Sequence, residues 1–92
     1  MRNTSPEAAE ARREIHEIFE RKGHAVDNAR DALSRLDRAF AEGALRRNPE
    51  IEGVLADLAV ALEQDDGQKL GGKSSEAARF IGRRLEQLLA EA

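Results

Sequence analysis

Asn48-Pro49-Glu50-Ile51-Glu52-Gly53-Val54-Leu55-Ala56-Asp57-Leu58-Ala59-Val60-Ala61-Leu62-Glu63 is the stretch that decides the fold class. It opens as a helix opens: a capping side chain at Asn48, proline at the first helical position, and the Glu50 carboxylate near the positive end of the helix dipole. Ile51, Val54, Leu55, Leu58 and Leu62 then recur at three- and four-residue steps and make one stripe. Between Gly53 and Leu62 the only charge is Asp57, and Ala56 and Val60 lie on the back of the stripe. A helix apolar on most sides is buried on most sides. Either this is the central helix of the domain, or its back meets another chain.

Working outward, the same start recurs at Ser5-Pro6-Glu7, and a third lies at Ser74 or Ser75 followed by Glu76. Helix stops are read at Gly67 and at the chain end, with weaker ones at Gly23 and Gly43. No stretch alternates apolar and polar residues long enough to be a strand. The prediction is an all-α single domain over 1–92, a small three- or four-helix bundle. Its helices span about 6–22, 25–47, 49–65 and 75–90, with a polar, Gly-rich loop over 64–74. The first helix aligns Ala8, Ala11, Ile15, Ile18 and Phe19, with Glu7, Glu10, Glu14 and Glu17 opposite. In the second, Val26, Leu33 and Phe40 are seven residues apart, as are Ala29, Leu36 and Gly43, and Ala25, Ala32 and Ala39. A seven-residue period with a small-residue flank lets a neighbouring helix come close. In the last helix Ala77, Ala78, Ile81, Leu85, Leu88 and Leu89 face inward, Phe80 sits at the margin, and Arg79, Arg83 and Glu86 face out.

Gly23 leaves two readings open. The apolar phase of the first helix runs through it almost unbroken, at 11, 15, 18, 22, 25, 29, 32, 36, 39 and 43. One long N-terminal helix kinked at Gly23 therefore competes with a hairpin turn near Gly23–Asp27. Glycine inside a helix costs ~1 kcal/mol relative to alanine, which favours the turn.

Of the 37 hydrophobic residues among 92, 16 are Ala and one is Met1, leaving 20 large apolar side chains. A chain this short buries roughly two-thirds of its unfolded surface, so the core is thin and a partner is expected. Fifteen basic and eighteen acidic residues give a net charge of −3. Both signs are mixed along the chain, unlike the footprint of a general nucleic-acid binder. With no cysteine, a disulfide scaffold, a thiolate zinc site and a cysteine nucleophile are excluded. No apolar run approaches the ~20 residues that span a bilayer, and Met1–Pro6 lacks the apolar segment of a secretion signal. The expected location is cytoplasmic, with no membrane partner.

Several motifs touch on chemistry. Gly67-Gln68-Lys69-Leu70-Gly71-Gly72-Lys73-Ser74 satisfies the G-x-x-x-x-G-K-[ST] phosphate-loop pattern. That loop hangs from a buried strand, whereas Leu62-Glu63-Gln64-Asp65-Asp66 is the end of an amphipathic helix with carboxylates where phosphate would arrive. Anion capture at this loop stays open and nucleotide hydrolysis is not expected. His16 and His24 are eight residues apart, without the four-residue spacing of a helical metal pair. The glutamate row of the first helix lacks the Glu-x-x-His motifs of a di-metal bundle. No elbow motif surrounds Ser5, Ser34, Ser74 or Ser75. The chain is expected to be no enzyme and to hold no metal and no cofactor.

Gly72-Lys73-Ser74-Ser75-Glu76-Ala77-Ala78-Arg79-Phe80-Ile81 resembles the second helix of ribbon-helix-helix DNA binders. The resemblance implies a small DNA-binding regulator acting through Arg79, Arg83 and Arg84, and this is the alternative function. The leading expectation is a non-catalytic protein-interaction module: an adaptor, inhibitor or regulatory subunit that works through apolar helix faces and self-associates as a homodimer. Its expected contact positions are Ala25, Ala32, Ala39, Ala56 and Val60. The competing reading of those five is that they close an intramolecular bundle.

Overall fold

The computed structural model describes residues 5–64 and 73–91 and arranges them in four helices: α1 (Pro6–Glu20), α2 (Ala25–Glu42), α3 (Pro49–Glu63) and α4 (Lys73–Glu91). Two of the starts are built as the capping residues require. The Ser5 hydroxyl accepts from the Ala8 amide at 3.1 Å, and the Asn48 side-chain carbonyl accepts from the Ile51 amide at 2.8 Å. Each satisfies an amide that the first turn of the helix leaves without a partner. At α2 the cap is His24, whose Nδ1 accepts from the Val26 amide at 3.1 Å.

The chain turns back at residues 21–24, so α1 and α2 are separate helices. Gly23 holds φ at +123°, a conformation no helix contains and one that side-chain-bearing residues resist. The buried Asn28 side chain secures the turn by donating to the Arg21 carbonyl at 2.7 Å. The apolar phase persists across the turn because α1 and α2 bury their stripes in the same core. Arg35 meets Glu14 and Arg21 meets Asp31, so positions later in α2 pair with earlier ones in α1, as an antiparallel hairpin demands.

α2 is shorter than the expected 25–47. Gly43 adopts the left-handed conformation at φ +79°, and the Ala44 amide returns to the Ala39 carbonyl at 2.9 Å. That capping arrangement ends the helix and takes up carbonyls that would otherwise lack donors. The following residues are a linker rather than a last helical turn. Within it Leu45 is buried in the core, and the Arg47 guanidinium lies over the Phe40 ring, 4.5 Å from its centroid. The first and third helices also end a residue or two earlier than expected, and the last begins two earlier. The loop read over 64–74 falls largely outside the described residues.

Ile15, Leu36, Ile51, Leu58, Leu85 and Leu89 fill the centre of the bundle, and all are sealed from solvent. Around them the helices meet largely through alanine: Ala8, Ala11, Ala29, Ala32, Ala39 and Ala78 are each at most 1% exposed. Small side chains at a contact shorten the distance between helix axes. This permits a packing that a square bundle would not have, in which α2 touches α4 directly. α4 packs against all three other helices, whereas α3 rests mainly on α4. The central helix is therefore α4. α3, despite being the least polar, lies at the side with its back turned outward.

Candidate functional site

Only half of the apolar surface of α3 is used inside the domain. Ile51, Val54, Leu58, Ala61 and Leu62 point inward, while Gly53, Ala56, Ala59 and Val60 face out. Gly53, Ala56 and Val60 stand at i, i+3 and i+7, so they form one strip along the outer face. Val60 is 52% exposed, and a side chain added at Gly53 would meet nothing within 4 Å. Gly53 and Ala56 are shorter than the carboxylates beside them, so the uncovered strip is a shallow apolar trough between longer side chains. Carboxylates border it on both sides: Glu50 and Asp57 on one, Glu52 and Glu63 on the other. Glu52 is engaged by Arg47 at 2.9 Å, whereas Glu50, Asp57 and Glu63 are exposed and have no ion pair among the described residues. α3 carries no basic residue at all.

The neighbouring helix supplies the opposite surface. Phe80 of α4 is 75% exposed, more than Val60, the other large apolar side chain left open among the described residues. The sequence reading put Phe80 at the margin of the buried face. At 100° per residue Phe80 stands nearly opposite the buried Ala78, Leu85 and Leu89, so the helix turns it to the outside. Arg83 and Arg84, three and four residues on, are its neighbours on the helix surface, with Glu76 one turn earlier. Arg79, Arg83 and Arg84 are exposed and form no ion pair among the described residues, while six other arginines do, through Glu10, Asp31, Asp27, Glu14, Glu42 and Glu52.

The five expected contact positions separate. Ala56 and Val60 lie on the open face of α3. Ala25 is half-buried. Ala32 and Ala39, at 1% and 0% exposure, belong to the core and can meet no partner in this fold. The seven-residue seam of α2 is used up inside the domain, because its small residues let α2 come close to its neighbours.

The arginine face of α4 curves into a cleft. Phe19, Ala25 and Ala78 contribute its apolar lining, Arg21, Arg79 and Arg83 its cations, and Glu20 and Glu86 its anions; its volume is about 270 Å³. Arg21 is further engaged by Asp31 at 2.5 Å. The Glu20 and Glu86 carboxylates are thus interleaved with the arginines of the alternative nucleic-acid face.

The two histidines have structural partners. His16 Nδ1 and Glu86 Oε1 share a hydrogen bond at 2.6 Å that ties α1 to α4. His24 Nδ1 is occupied as the α2 cap, so its proton sits on Nε2, which is buried without a partner. Among the described residues no group of three His, Asp or Glu side chains could hold a metal ion, and no helix is long and apolar enough to cross a membrane. Residues 67–72 of the phosphate-loop pattern lie outside the described residues, as do the side chains of Lys73 and Ser74. The chain matches no family model, no curated protein and no solved structure.

Proposed function

We propose that this protein is a non-catalytic protein-interaction module, an adaptor, inhibitor or regulatory subunit, that binds through the outer face of α3. The observation that carries the reading is the trough of Gly53, Ala56 and Val60, left open although the helix that bears it is the least polar of the four. Apolar surface rimmed by polar residues marks binding faces more often than solvent faces. Gly53, Ala56 and Val60 recur at i, i+3 and i+7, so the open strip runs along one side of α3 and can receive an apolar side chain from a partner.

Val60→Glu tests it. The substitution sets a charge in the middle of the trough at a position that is 52% exposed, so the bundle keeps its helical circular dichroism. Capture of partner protein, whether a second copy or another chain, is expected to fall at least tenfold, about 1.4 kcal/mol. Unchanged capture by the folded Val60→Glu protein overturns the reading.

A further inference from the structure

The two open faces of the α3–α4 pair are complementary to each other. α3 presents a trough of small residues bordered by the free carboxylates of Glu50, Asp57 and Glu63, with no cation on the helix. α4 presents a knob, Phe80 at 75% exposure, beside the free guanidinium groups of Arg83 and Arg84. Knob matches trough in shape, and cation matches anion in charge. Both faces belong to the same molecule but to different helices, so one copy cannot satisfy itself.

We propose that the partner is a second copy of this chain, in a two-fold dimer in which α4 of each copy lies on α3 of the other. Phe80 of each copy then seats over Gly53, Ala56 and Val60 of its mate, and Arg83 and Arg84 face Asp57 and Glu63. This proposal rests on the reading of the α3 face as a binding surface and names its occupant. A two-fold axis makes the two contacts identical and closes the assembly at two copies. The reverse pairing, α3 on α3, would set four acidic side chains against four others, and like charges across an interface are strongly disfavoured. Exposed aromatic and arginine side chains are also the types that dominate interface energies. Glu76, one turn before Phe80, is the one anion beside the knob on α4, and it leaves Arg83 and Arg84 in excess.

The test is a charge exchange read by sedimentation equilibrium. One variant carries Arg83→Glu with Arg84→Glu, making the open face of α4 acidic. The other carries Asp57→Lys with Glu63→Lys, making the border of the trough basic. All four positions are exposed and form no ion pair among the described residues, so both variants retain the bundle, checked by circular dichroism. The wild type is expected at twice 10.2 kDa, with a dimer that weakens as salt is raised. Each variant alone is expected to dissociate at least tenfold more readily, and an equimolar mixture is expected to recover the dimer, because both contacts are then matched again.

A wild type that stays at 10.2 kDa overturns the proposal; the α3 face can then still bind a different protein, which the Val60→Glu capture experiment reads separately. A dimer lost on Val60→Glu but indifferent to both charge reversals upholds the face and overturns this pairing. Variants that separate but fail to recombine in the mixture also overturn it.

Discussion

Two glycines inside helices are expected to respond in opposite directions to the same substitution, and the structure supplies the reason. A Cβ added at Gly82 of α4 would lie 2.8 Å from Cε1 of Phe19, with Cδ1 at 3.1 Å and Cζ at 3.3 Å. Carbon atoms pack best at about 3.5–4.0 Å, so the Phe19 ring has to move. Replacing glycine by alanine in a helix gains ~1 kcal/mol from backbone entropy and propensity. Forcing an extra methyl into a packed contact costs ~1–3 kcal/mol. Phe19 is only half-buried and the clashing atoms are at the end of its side chain, which places the cost in the lower part of that range. Gly82→Ala is therefore expected to destabilise by about 0–1 kcal/mol, the clash cancelling or outweighing the propensity gain. At Gly53 nothing lies within 4 Å, so Gly53→Ala keeps the full gain and is expected to stabilise by ~1 kcal/mol. Urea unfolding followed by circular dichroism measures both, at protein concentrations where the mass stays at 10.2 kDa. In thermal unfolding 1 kcal/mol corresponds to roughly 4–8 °C for a domain of this size. Adding Phe19→Leu is expected to turn Gly82→Ala from neutral or harmful into stabilising, a coupling that a double-mutant cycle isolates. If Gly82→Ala stabilises as much as Gly53→Ala, α1 and α4 are not in close contact there and the reasoning fails.

Two further outcomes follow from named contacts. His24→Ala removes the α2 cap and is expected to cost ~1 kcal/mol in urea unfolding, whereas His24→Asn restores an acceptor at the same position and recovers most of it; equal losses for the two would remove the capping role. Leu58→Ala empties a site sealed at 0% exposure and is expected to cost ~2–5 kcal/mol, enough to leave a domain this small largely unfolded; a loss below ~1 kcal/mol would mean that α3 is loosely held against α4.

Local chemistry made the helices readable from residues alone. Ser5-Pro6 and Asn48-Pro49 define starts because their side chains and fixed φ angles act within one turn, and the stripe from Ile51 to Leu62 defines an inward face through the helical repeat. The same repeat left two readings open at Gly23. An apolar phase can continue through a turn when both flanking helices serve one core, so periodicity alone cannot separate a kink from a hairpin. Only the positive φ of Gly23 and the Asn28 hydrogen bond to Arg21 do so. At Gly43, too, the last turn ended where the backbone entered the left-handed region, earlier than composition suggested.

Which apolar face meets which neighbour is a property of the assembled bundle. Ala32 and Val60 read alike in the sequence, small or medium apolar residues beside a stripe, yet one is sealed and the other half open. The difference arises because α4 packs against all three other helices while α3 rests mainly on α4, which leaves one face of α3 outside. Each helix carries its own apolar angle in its residues, because side-chain direction repeats every 3.6 positions. Whether that angle is covered depends on the separations of all four axes together, and those are fixed only when the side chains pack.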